Sequence, residues 1–443
     1  MEELDFRNEP VGRLFIKQLI PALLGMLAAA LYVVVDGVFV GRGVGSDAIA
    51  AVNINNPLMT FVSGLGLMFG MGGGVMASFN LARGQKRAAD RNLTQTVIVT
   101  TIVSTALTLV LCMFPRQFGY MLGADDRLID GVSEYMFWYA LCFPFMVMMT
   151  VLPFFIRLSN PKVPMWSLTI GAILNVILDY TFIFIFGWGL FGAAIATGIG
   201  QAVGAIIMLY YIYRPDYAVK MMRPKFTWKA IKFTARAVPH MVNLGFSVFL
   251  GEITLSIMGV AGNYAFMNHM GADGVAAYSI VCYVFPVILM IFNATVQSAQ
   301  PIVSYNSGCG FPARSRRALN YALIFSALVS TAMSLTFCFG SEALTSLFIP
   351  DHANPAWQLA AEGLPWYAAD FLFFGFNTII IGYYMSLEEL TRANLLTVVR
   401  GLLPALLFFL LPPMAGENGL WAAVPAADML TCSLILATIK KRG

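Results

Sequence analysis

The sequence predicts an all-α integral membrane protein of twelve transmembrane helices, built as two parallel six-helix repeats. Three observations carry this. The 443 residues are 59% hydrophobic and 11% charged, against about 25% charged in an ordinary soluble domain. Apolar segments, each long enough to cross a bilayer at about 20 residues, recur near 12–41, 52–80, 93–114, 131–157, 164–187, 191–213, 238–264, 276–307, 317–340, 363–387, 393–414 and 418–439. A shift of 226 residues lays 44–112 over 270–338 without a gap, with 17 of the 69 positions identical.

The same composition excludes several classes. The segment Met1 to Glu9 is mixed in charge and no small-residue cleavage site follows the first apolar run, so no signal peptide is expected. The six cysteines stand far apart with no CxxC pair, and the three histidines are isolated. Neither a disulfide framework nor a metal site with His or Cys spacing is indicated, and no cofactor is expected. The net charge of +4 gives no reason to invoke nucleic acid.

The first span runs from Leu14 to Gly41, with Pro21 near its start and Asp36 inside Val35-Asp36-Gly37. A carboxyl there costs several kcal/mol to dehydrate and is a functional candidate; the plainer reading is an acid near the helix end bonded to a neighbour. Pro21 is a candidate bend point. Span two carries Gly64, Gly66, Gly70 and Gly72-Gly73-Gly74. No strand precedes these and no Walker sequence occurs, so they predict close helix packing and not a phosphate loop. Transport by such a chain would then run on an ion gradient or downhill. Tyr139 and Met146 in span four are weak candidates for a soft substrate cleft.

Spans five and six carry Asn175, Asp179 and Thr197. Asn175 and Asp179 are four apart and share a helix face. Asp179 precedes the turn at Trp188 by nine residues and Thr197 follows it by nine, which puts both about 13 Å from that turn. With Asp36 this makes two carboxyls, an amide and a hydroxyl. These are oxygen ligands for a hard cation such as Na⁺, or carriers of a proton; the alternative is hydrogen-bonded glue between helices.

Next comes a basic stretch, Arg214 to Arg236, with seven Lys and Arg. It reads as a cytoplasmic linker (214–237) lying as an amphipathic helix on anionic lipid, between lobes 1–213 and 238–443. The second lobe has its own acids, Glu252, Asp370 and Asp428 in spans seven, ten and twelve, and Pro239 precedes Glu252 much as Pro21 precedes Asp36. Arg400 in span eleven is expected to snorkel to the cytoplasmic surface. With both termini placed inside, 24 of the 27 Lys and Arg fall in cytoplasmic stretches, leaving only Arg42, Arg116 and Arg127 outside. On this topology the named acids lie in the outer half of the bilayer.

Several pieces, in this order and spacing, resemble the multidrug and toxic compound extrusion (MATE) transporters, in particular the DinF-like and MepA-like bacterial branches. They are Val35 to Gly41, Ala50-Ala51-Val52, Arg157 to Pro161, Asn175-x-x-x-Asp179 with Gly192 to Thr197, and Gln300-Pro301 with Ser304-Tyr305-Asn306. The resemblance implies two six-helix lobes forming a V, in a prokaryotic cytoplasmic membrane; a monomer suffices mechanically and is expected. It also implies export of amphipathic, often cationic, small molecules against inward flow of Na⁺ or H⁺. It places the first-lobe coupling site at Asp36, Asn175, Asp179 and Thr197 and further coupling or substrate acids at Glu252 and Asp370; Asp428 has no counterpart. The chain is not expected to be an enzyme. The alternative is a lipid-linked oligosaccharide or polyprenyl flippase, against which stands the single Arg deep in a span.

Overall fold

The computed structural model describes residues 4–124, 126–214, 217–223, 227–349 and 351–440. Eleven of the described helices are long and apolar enough to cross a membrane. The twelfth span is the bent pair α5 (Ile129–Ala140) and α6 with α7 (Phe143–Val151, Pro153–Ile156), whose halves meet at 55°. Pro144 explains the bend: it has no N–H to give, and its ring would collide with the carbonyl of Ala140 four residues back. All twelve apolar segments read from the sequence are therefore spans.

The remaining elements, in order, are α1 (Val11–Gly43), α2 (Ser46–Ala82), α3 (Lys86–Met113), α4 (Pro115–Met121), α8 (Lys162–Asp179), α9 (Gly189–Ile212), α10 (Trp228–Gly308), α11 (Pro312–Phe339), α12 (Ser341–Phe348), α13 (Pro355–Ser386), α14 (Leu390–Leu410), α15 (Pro412–Ala415) and α16 (Glu417–Lys440). The long α10 is two spans, Ile231–Gly271 and Asp273–Gly308, that meet where Gly271 takes φ +67°. Along α1, Leu14, Leu19 and Ala22 are buried while Ile16, Ile20, Leu24, Leu27 and Leu31 are exposed. Two apolar faces on one helix are what a span needs when one side meets protein and the other lipid.

The internal repeat is physical. Helices α3 and α11 are both 28 residues long and begin 226 residues apart. Each is preceded by the same helix ending. Gly84 and Gly310 have φ +71° and +77°, and the amides of Gln85 and Phe311 each donate to the carbonyl of the matching asparagine, Asn80 or Asn306, at 2.8 Å. Only glycine takes that backbone without strain, which is why the pair repeats.

The chain divides into two compact units, Met1–Phe249 with Ser304–Pro312, and Leu250–Val303 with Ala313–Gly443. In the first, the glycines of α2 are contact points, as the sequence predicted. A Cβ on Gly73 would stand 2.3 Å from Thr96 Oγ1, one on Gly70 2.6 Å from Phe154, and one on Gly72 2.0 Å from the Met241 carbonyl of α10. Gly245 of α10 returns the contact, with the Met68 carbonyl 1.8 Å from its would-be Cβ. Close backbone approach of this kind holds membrane helices together where lipid provides no hydrophobic drive. The start of the chain is tied down in the same unit: Asn306 donates to the Phe6 carbonyl at 3.1 Å and the Phe6 ring meets that of Tyr305 at 5.6 Å. The second unit has an aromatic centre of Phe266, Tyr278, Phe371, Phe374, Phe408 and Trp421.

The basic stretch departs from expectation. Residues 217–223 are not a surface helix; Tyr217 and Val219 are buried. The amides of Lys220 and Met222 donate to the Asp90 carboxylate at 2.9 Å and the Thr94 hydroxyl at 3.0 Å of α3, and that of Ala218 to Ser159 Oγ at 2.8 Å. Side chains of the first unit thus satisfy backbone donors that a helix would have kept for itself. The helix begins only at Trp228, and Lys225 lies outside the described residues.

Candidate functional site

In the first unit, Asp36 comes from α1, Asn175 and Asp179 from α8 and Thr197 from α9. The structure brings all four together. The carboxyls of Asp36 and Asp179 lie beside one another, and the Asn175 amide lies beside Asp179. Asn175 Nδ2 donates to Thr197 Oγ1 at 3.3 Å. Thr197 thus pairs with Asn175, which lies one turn before Asp179 on the same helix. Asp179 is fully buried, and no donor meets either of its oxygens in hydrogen-bonding geometry; Asp36 Oδ1 and Asn175 Oδ1 are buried and equally unmet. Buried acceptors with nothing to accept are costly. Here four of them belong to three neighbouring side chains.

The site has parts that the sequence reading passed over. Tyr32 precedes Asp36 by one turn, and its hydroxyl accepts from Gln201 Nε2 at 3.2 Å. Tyr135 and Tyr139 of α5 border the acids; their rings stack at 5.6 Å. Tyr139 also reaches Met146 Sδ at 3.5 Å, so the two weak cleft candidates are neighbours at the edge of the acid site. Tyr32 and Gln201 had a readable signal: each is polar inside a span and four residues from a named site residue, Asp36 or Thr197. The other missed feature is backbone. Directly after Asp179, α8 widens into a π-helix, Tyr180–Ile185, a form that gathers at functional sites and has no sequence signature here. Pro21 sits inside an unbroken α1, with its ring where a hydrogen bond to Lys17 would otherwise form.

The second unit holds a different arrangement. Asp370 and Asn377 of α13, Arg400 of α14 and Asp428 of α16 form one buried cluster. Asp428 Oδ1 accepts from Asn377 Nδ2 at 2.7 Å and lies 3.2 Å from Arg400 Nε. Arg400 does not snorkel to the surface as predicted. Its guanidinium sits 4.1 Å above the Phe374 ring and pairs with Asp428, which offsets the cost of leaving water. Asp370 is fully buried, and neither of its oxygens nor Asn377 Oδ1 has a donor. Glu252 lies half-buried on α10, and no hydrogen bond or ion pair joins it to this cluster. No group of three or more His, Cys, Asp or Glu able to hold a metal occurs among the described residues.

Comparison with known proteins then places the chain. The MatE family model matches residues 21–181 and 248–410, one match in each half. The chain is 24% identical over 447 residues to the multidrug export protein MepA of Staphylococcus aureus (strain NCTC 8325 / PS 47), covering 99% of this chain and 96% of that protein. It is 26% identical over 444 residues to an FAD transporter of Shewanella oneidensis, covering 96% and 93%. Among solved structures, a MOP superfamily transporter from Pyrococcus furiosus superposes with a TM-score of 0.90 at 17% identity, over 100% of this chain and 98% of that one. An outward-facing multidrug resistance MATE family transporter gives 0.89 at 18%, over 98% and 96%. At such identities these two structures speak for the fold.

Proposed function

The chain belongs to the MatE family, and from that membership we propose that this membrane transporter exports amphipathic, often cationic, small molecules in exchange for inward-moving Na⁺ or H⁺. One observation carries the coupling half of the reading. Asp36 and Asp179 lie side by side, and three of their oxygens are buried with no donor. Two carboxyls so placed repel unless a positive charge joins them. A Na⁺ would take its oxygens from Asp36, Asp179, Asn175 and Thr197; a proton would need only the two acids. Two carboxyls also exceed what helix glue requires. The cargo half rests on the MepA relative, and the neighbourhood of Tyr139 and Met146 is where a soft apolar cleft would meet the acids.

In the mechanism we envisage, both termini are cytoplasmic and the ion enters from outside to sit between Asp36 and Asp179. Its arrival removes their repulsion and lets α1 draw in on α8 and α9, with the missing hydrogen bond at Pro21 as the point of give. Cargo leaves as the cleft narrows, and release of the ion inward resets the acids. Dye efflux from reconstituted vesicles, with a Na⁺ gradient and a pH gradient imposed in turn, tests the reading. Efflux should follow one gradient and vanish in Asp36→Asn. Undiminished efflux from a well-inserted Asp36→Asn protein would sink it. If neither gradient moves a cationic dye, flavin nucleotides and lipid-linked sugars become the cargo to try.

A further inference from the structure

The second unit's cluster contains an answer to its own acids. Asp370 and Asp428 are both buried, yet only Asp428 is met by donors, Asn377 Nδ2 and Arg400 Nε. Three further oxygens, both of Asp370 and Oδ1 of Asn377, are buried and have no donor. Without Arg400, two carboxyls and an amide oxygen on α13 and α16 would form the same kind of oxygen set as in the first unit, fit for a hard monovalent cation. With Arg400 present the position of that cation is taken. The guanidinium interacts with both acids and is held by the Phe374 ring at 4.1 Å. Arginine cannot leave its charge behind, and a second cation beside it in a dry site would be strongly repelled.

We propose that Arg400 is a tethered cation that stands in for a coupling ion between Asp370 and Asp428, so that the second unit binds no sodium while Arg400 is present and gains a sodium site when that charge is removed. One further positive charge balances the cluster, and a proton on Asp370 supplies it without placing a second metal cation beside the guanidinium. Arg400 thereby becomes a specificity residue that confines metal-ion binding to the first unit. The inference rests on the reading that buried acids in this transporter take up the coupling ion. Its test measures binding and not transport, so a protein driven by protons alone would leave it standing.

Binding of radioactive sodium to the purified full-length protein decides the matter. Arg400→Gln should raise bound sodium by about one ion per chain, a hard-cation site completed by oxygens, and adding Asp370→Asn should remove the gain. Arg400→Lys, which keeps the charge, should bind as the native chain does. A merely structural arginine would lose stability on substitution and would not create a site. An unchanged stoichiometry in monodisperse Arg400→Gln overturns the proposal. If that variant fails to fold, Asp370→Asn in the otherwise native chain decides: unchanged sodium binding supports the proposal, and a loss overturns it.

Discussion

Replacing Asp179 by Asn should separate stability from function. The native carboxyl is fully buried, neither oxygen has a donor, and its neighbour Asp36 is also an acid with an unmet oxygen. An amide at position 179 removes the repulsion and presents two N–H donors to that oxygen. One hydrogen bond to a charged acceptor contributes about 1.5–3 kcal/mol, so Asp179→Asn should stabilise the ion-free protein by about 2 kcal/mol. In detergent without sodium and at alkaline pH, where both native carboxyls are charged, the thermal midpoint should rise by roughly 2–4 °C. Gradient-driven efflux should meanwhile fall to background, because the amide cannot hold a proton or balance a cation. Stability given up at one buried position is commonly traded for function there. A variant that melts lower than the native chain while still exporting dye would refute the argument, since it would show Asp179 to be a structural link.

Two further outcomes follow from packing and backbone bonding. Gly72→Val pushes a side chain into the Met241 carbonyl, 2.0 Å from where a Cβ would stand, and should cost about 1–3 kcal/mol of overpacking, read as a lowered thermal midpoint. Asp90→Ala removes the acceptor for the Lys220 amide; it should open residues 217–223 about fivefold, the equivalent of about 1 kcal/mol for one hydrogen bond, seen as faster tryptic cleavage at Lys220 and Arg223.

The fold was legible because bilayer physics leaves little choice. A run of apolar residues that long must span, and all twelve segments do so, including the one that Pro144 bends. The glycines of α2 could be read as packing points for the same reason. The acids of the first site were legible singly, since a carboxyl inside a span always asks for a reason, and Asn175 was found by its helix spacing to Asp179. What lay beyond reach depended on partners distant in sequence. Arg400 looked like a snorkelling residue because nothing near it in the chain reveals that Asp428 waits on another helix. The stretch Arg214 to Arg236 looked like a basic surface helix because its charges are local, while the acceptors that hold residues 217–223 out of a helix, Asp90, Thr94 and Ser159, are about 60–130 positions earlier, as loop-closing contacts commonly are. The π-helix after Asp179 left no trace in composition at all.

The seam between α2 and α10 bears on how this chain can be cut. Duplication left a tempting break in the basic stretch, where two gene fragments of similar length would each encode six spans. A cut there would leave Gly72 and Met68 in one polypeptide and Met241 and Gly245 in the other. The same cut parts Phe6 from Asn306. Fragments made in this way would have to find each other within the bilayer before either could finish its own packing. Separately expressed halves should therefore be cleared by quality-control proteases, and co-expression should rescue them. What began as two copies has become one cooperative object whose parts no longer respect the line along which they were joined.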